Sequence, residues 1–159
     1  MQFEHLIQIN DLTQMLTPLL TRQQLWQGLV YRAESPMAFM DHVDEVTLLE
    51  RGQDWVQRKM VMGKLTVIDK IQYQHETRVH YHTAASSDHG GGQMIMKIEE
   101  PSPEALFVRF TYITPHPDAP DPETAHYLEF LKSAWRETDI DTVRKIRELA
   151  ASGQLGQIT

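Results

Sequence analysis

Apolar residues recur along this chain with two different periods, and the change from one to the other outlines the fold. Between residues 43 and 114 the period is two, as in strands whose side chains point alternately to opposite faces. Strands are predicted over 43–50, 55–62, 65–74, 78–84, 93–100 and 106–114. Turns punctuate them at Arg51-Gly52-Gln53-Asp54, at the tight Gly63-Lys64 pair and at Pro101-Ser102-Pro103-Glu104. Residues 2–9, with Phe3, Leu6, Ile7 and Ile9, predict one earlier strand. After Pro120 the period lengthens. Leu128, Leu131 and Trp135, then Val143, Ile146 and Ala150, recur at helical spacing. Asp121-Pro122-Glu123 supplies a helix start: a capping acid, proline at the first position, then a carboxylate near the positive end of the dipole. Gly153 supplies the stop. Such a helix is roughly 45 Å long at 1.5 Å per residue.

Two short helices are expected between the first strand and the rest. One covers 11–16 and ends before Pro18, because the residue preceding proline avoids the helical region. The other begins at Thr21-Arg22-Gln23-Gln24, a capping box, carries Leu25/Leu29 and Trp26/Val30 four apart, and stops at Pro36. The six strands that follow are consecutive and closely connected, so they pair antiparallel. The expected fold is α+β: a curved antiparallel sheet of six or seven strands wrapped around the long C-terminal helix, as one domain over 1–159.

Composition narrows the function classes. A net charge of −7 over 159 residues argues against a nucleic-acid surface, which would need a basic face. There is no cysteine, hence no disulfide framework, thiolate nucleophile or cysteine metal site. No apolar run reaches membrane-spanning length, and Met1-Gln2-Phe3-Glu4-His5 does not open a secretory signal, so a cytoplasmic location is expected. Neither a metal nor a cofactor is expected. A homodimer is the default expectation for association.

The strand pattern brings chemistry together. If Gly63-Lys64 is a two-residue turn, Met62 meets Leu65, Met60 meets Val67 and Arg58 meets Asp69, all on the more apolar face. A buried charge needs a partner. Arg58 and Asp69 are then either a cavity pair that anchors a ligand carboxylate, phenolate or carbonyl, or a structural ion pair. His80 and His82 share a strand face. A tight turn at His75-Glu76 points them inward; one more residue in the turn points Val79 and Tyr81 inward instead. His80 or His82 is then a polar contact or proton-transfer group, or else both are solvated. Met60/Met62 and Met94/Met96 are same-face pairs, suited to an adaptable apolar surface and equally to ordinary core filling. Tyr112 offers a pocket hydroxyl. Tyr127, Leu131 and Trp135 form the sheet-facing stripe of the long helix. Arg109 is either a second cavity cation or an outward partner of Glu99 or Glu100. Asp88-His89-Gly90-Gly91-Gly92 lacks the Lys-Ser/Thr of a phosphate loop and reads as a mobile loop beside the cavity.

The element order resembles the helix-grip fold of the START-like (SRPBCC) superfamily, which includes birch-allergen-like proteins, lipid-transfer domains, polyketide cyclases and aromatases. More narrowly, Met1-Gln2-Phe3-Glu4-His5, Gln24-Leu25-Trp26-Gln27-Gly28-Leu29, and Ile98-Glu99-Glu100-Pro101 through Leu106-Phe107-Val108-Arg109-Phe110 resemble a bacterial and fungal branch, the AtaL-like proteins. Fungal members of that branch lie in secondary-metabolite gene clusters. The resemblance implies a ligand-binding domain that holds a small apolar or aromatic molecule between sheet and helix. The implied alternative is a cyclase, aromatase or dehydratase-like enzyme. It supplies no catalytic motif to carry over.

Overall fold

The structure, a computed structural model, describes residues 1–14 and 16–155. Seven strands form one antiparallel sheet: β1 (Gln2–Gln8), β2 (Glu45–Arg51), β3 (Trp55–Met62), β4 (Leu65–Gln74), β5 (Arg78–Thr83), β6 (Gly92–Glu99) and β7 (Phe107–Ile113). Their order across the sheet is β1-β7-β6-β5-β4-β3-β2. Each of β2 to β7 pairs with its neighbour in sequence, and only β1 reaches across, to lie beside β7. Two helices cover the concave face: α1 (Arg22–Glu34) and α2 (Pro122–Ala151). The predicted strands and the long helix appear within a residue or two of their expected ends.

Local chemistry explains the helix starts. Thr21 accepts from the backbone of Gln24, whose side chain returns the bond, completing the capping box of α1. Asp121 accepts from Thr124 at the head of α2, with Pro122 in the first position. The expected helix over 11–16 is not what the described residues of that segment form, and Met15 lies outside them. Asp11 instead accepts from both the backbone and hydroxyl of Thr13, a local turn that competes with helix. Asn10, buried, then grips Leu20 through its amide and carbonyl, which holds the segment as a loop. The second short helical element comes after α1 instead, as a single 3₁₀ turn at Pro36–Ala38.

The core lies between the concave face and the two helices. Leu25, Leu29 and Ala33 of α1 and Val143, Ile146 and Leu149 of α2 pack against Val56, Ile71, Val79, Met96, Val108 and Phe110 of the sheet. No helix among the described residues is long and apolar enough to cross a membrane.

Candidate functional site

Two turns decide which polar side chains face the helices. The Gly63-Lys64 turn sets Met62 against Leu65, Met60 against Val67, Arg58 against Asp69 and Val56 against Ile71. Met60 is buried, and Arg58 and Asp69 are each only 3% exposed. Arg58 Nε and Nη2 donate to the two Asp69 oxygens at 2.7 and 3.0 Å, a bidentate fork, and Nη1 donates to the Ala33 carbonyl at 2.6 Å. This side chain is engaged on every nitrogen by the fold itself.

The second turn corrects the expectation for His80. The β4–β5 connection holds three residues, His75, Glu76 and Thr77, with Glu76 in the left-handed region at φ 51°. Gln74 therefore pairs with Arg78, Ile71 with Tyr81, and Gln72 with His80. One extra residue moves every following side chain to the other face. Val79 and Tyr81 point inward, and His80 lies on the convex face. There its Nε2 is 2.8 Å from Gln93 Oε1 and its ring stacks on His82 at 4.2 Å. Partial burial holds the His80 pKa below the usual imidazole range, with His82 and Arg78 pushing the same way against the Gln93 hydrogen bond. Arg109 is also convex, forked onto Glu99 at 2.7 and 3.2 Å.

On the concave face, Tyr81, Met94, Tyr112 and Phe3 form one cross-strand row, and Val79, Met96 and Phe110 the next. Met96 is fully buried. The Tyr112 hydroxyl lies 2.8 and 2.7 Å from the two oxygens of Asp139, and its ring stacks on Trp135 at 4.3 Å. His5 Nε2 reaches the same carboxylate at 2.7 Å. Burial and the Asp139 charge push the Tyr112 hydroxyl well above the usual phenol range, so it stays neutral and donates to Asp139. Arg32 of α1 enters the interior beside this network. Its Nε donates to Thr142 Oγ1 at 3.0 Å and its Nη1 to the Tyr81 hydroxyl at 3.4 Å.

Asp139, His5 and Arg32 were not singled out in the sequence, although each carries a signal. Asp139 lies four residues from both Trp135 and Val143, inside the apolar stripe of α2. His5 alternates with Phe3 and Ile7 on β1, and Arg32 follows Leu29 by three on the buried face of α1. A polar residue inside an apolar stripe is the informative exception to burial.

Five of the expected site residues meet in a cleft of about 440 Å³ between the β5–β6 loop, the end of β7 and the first half of α2. Met94, Tyr112, Tyr127, Leu131 and Trp135 line it, with Gly90 to Gly92 along one edge. Arg58, Met60, Asp69 and Met96 share the concave face but do not reach this cleft. The glycines permit close backbone approach: a side chain on Gly92, at φ 148°, would meet the Ile113 carbonyl at 2.7 Å. A second groove of about 630 Å³ lies beside α1, lined by Trp26, Val30, Tyr73 and His75. Along it, Glu34 accepts from the Tyr73 hydroxyl at 2.8 Å and pairs with Arg51. No three His, Asp or Glu side chains are grouped to hold a metal ion among the described residues.

Residues 7–153 match the family model described as acetylaranotin biosynthesis cluster protein L, AtaL. The chain belongs to the AtaL family. By sequence, no curated protein matches this AtaL family member. Its architecture is similar to solved helix-grip structures. Ara h 8.0201 is 17% identical, with 96% of this chain and 98% of that chain covered at a TM-score of 0.58. The Zhui aromatase/cyclase of a Streptomyces species is 13% identical, with 95% and 93% covered, also at 0.58. The Aha1 dimer of Colwellia psychrerythraea is 13% identical, with 92% and 96% covered at 0.60. At these identities the likeness establishes the fold, and function has to be argued from the site.

Proposed function

We propose that this protein binds a small apolar or aromatic molecule in the cleft framed by the β5–β6 loop and α2. The observation that carries the reading is the wall itself. Tyr127 is 52% exposed, and with Met94, Leu131 and Trp135 it flanks a concavity of about 440 Å³, a size that suits a drug-sized ligand. A large aromatic side chain left open beside other apolar groups is the pattern of a binding surface rather than of core. The test is mass spectrometry of small molecules extracted from the purified protein, alongside native mass spectrometry of the intact complex. A stoichiometric compound with an aromatic or apolar body is the expected result. Protein that carries nothing and also shows no thermal shift with aromatic acids or polyketide fragments would remove the reading.

A second reading, a polyketide cyclase-like, aromatase-like or dehydratase-like enzyme, is favoured by one arrangement. Tyr112, at the cleft wall, is hydrogen-bonded to Asp139, which is hydrogen-bonded to His5. A neutral hydroxyl, a buried carboxylate and an imidazole in series are groups able to relay a proton to or from a bound carbonyl compound. The family description, which refers to a biosynthesis cluster, and the aromatase/cyclase neighbour support this reading by analogy. Turnover of a polyketide-like substrate that is lost in Asp139→Asn while binding persists is the result that distinguishes catalysis from carriage.

A further inference from the structure

Two arginines are buried among the described residues, and they are partnered differently. Arg58 has the Asp69 carboxylate in a bidentate fork. Arg32, 5% exposed, has no carboxylate within 4.0 Å among the described residues. Its contacts there are two hydroxyls, Thr142 Oγ1 at 3.0 Å and Tyr81 Oη at a long 3.4 Å. Thr142 passes its own proton on to the Thr138 carbonyl. Only two of the five N–H donors of a guanidinium are thereby used. The Tyr81 hydroxyl accepts from Arg32 and donates to no described residue. Burial opposes the charged guanidinium, while Tyr81, Tyr112 and, from beyond contact distance, Asp139 favour it; the Asp139 oxygens are themselves held by Tyr112 and His5. A buried cation without a contacting anion is costly for a fold.

The sheet connects this cation to the cleft. Tyr81 lies directly across from Met94, and Met94 across from Tyr112. Directly opposed residues stand about 5 Å apart. Met94 and Tyr112 line the cleft, Tyr81 and Arg32 do not, and within the row the flexible Met94 side chain stands between the cleft and Tyr81. An aromatic body resting on Leu131 and Trp135 would project a substituent past Met94 toward the Tyr81 hydroxyl and the unused Arg32 donors.

We propose that Arg32, with the Tyr81 hydroxyl beside it, receives the anionic oxygen of the molecule held in the cleft, which makes the ligand an aromatic carboxylate or acidic phenol. The assignment rests on the binding reading above. It moves the anchoring role from Arg58, which already has the Asp69 carboxylate as its anion, to a residue on α1. Leu131, Trp135 and Met94 then serve the apolar body, and Arg32 sets the charge that the ligand must carry.

The experiment compares naphthoate with its neutral analogue naphthamide, by calorimetry and tryptophan fluorescence, on the full chain at neutral pH. The wild type is expected to prefer naphthoate by about tenfold or more, the scale of one hydrogen bond to a charged group. Arg32→Met, which keeps length and removes charge, is expected to bind the two probes equally while retaining its affinity for naphthamide. Arg32→Gln, which keeps a hydrogen-bonding group for Thr142, should lose the preference as fully and serves if the methionine variant does not fold. Equal binding of both probes by the wild type, or an unchanged preference in the variants, would overturn the role of Arg32 and leave the binding reading standing. Failure of both probes to bind the wild type would overturn the aromatic-anion assignment, and the binding reading would fall with it only if extraction also yields no bound compound.

Discussion

Asp69 holds Arg58 in a setting where neither side chain has water to fall back on. Asp69→Asn leaves that cation buried without its charge partner, and the expected loss is about 3–5 kcal/mol in urea unfolding. Replacing both, as Arg58→Met with Asp69→Leu, should come close to wild-type stability, because the desolvation of both charges disappears with the pair. A single variant as stable as the wild type would mean that the pair is solvated. His80 carries a pH prediction with a definite sign. Its folded pKa lies below the ordinary imidazole value of about 6.5, so below about that pH the unfolded chain binds the proton more readily. Stability should therefore fall as pH drops through the window beneath 6.5, and His80→Gln should flatten that part of the curve. The two residues differ in how legible they were. A two-residue turn at Gly63-Lys64 determines which residues oppose each other, so Arg58 could be set against Asp69 from spacing alone. The turn at Glu76 needs a positive φ on a glutamate, which composition does not announce, and His80 consequently changed faces.

Between elements, α1 and α2 fit closely where they cross. A β-carbon added at Gly28 would sit 2.7 Å from two carbons of Ile146, a fully buried side chain. Gly28→Ala gains about 1 kcal/mol of helix propensity. Overpacking typically costs about 1–3 kcal/mol, so a net loss is expected on thermal unfolding. Ile146→Val in the same chain should recover part of it; a Gly28→Ala protein that melts higher than the wild type would mean that the helices separate freely. The elements themselves were readable because their signals are local: a capping box at Thr21, an Asp-Pro start at Asp121 and alternation along each strand. The segment from Asp11 to Leu20 was not, because its shape follows from the side chain of Asn10 holding Leu20 ten residues away.

Over the whole molecule, the second half of the long helix packs into the core through Val143, Ile146 and Leu149, and its first half borders the cleft beside the β5–β6 loop. Tyr127 belongs to that cleft. Tyr127→Ala is expected to weaken binding of an aromatic probe several-fold, on the scale of about 1 kcal/mol for one aromatic contact, and to leave stability within about 0.5 kcal/mol. Equal loss of both would place Tyr127 in the fold rather than in the site. The amino-acid sequence by itself determined the order of the elements, the antiparallel sheet, the long helix and the meeting of Arg58 with Asp69. These depend on periodicity and short turns, which act over a few residues. Only the tertiary structure decided that Arg58 has a hydrogen bond on every nitrogen, that Asp139 joins Tyr112 and His5, and that Arg32 lies inside without a contacting carboxylate among the described residues. Each of these depends on which side chains from β1, α1, β5, β7 and α2 arrive at one place, and distance along the chain carries no information about that meeting.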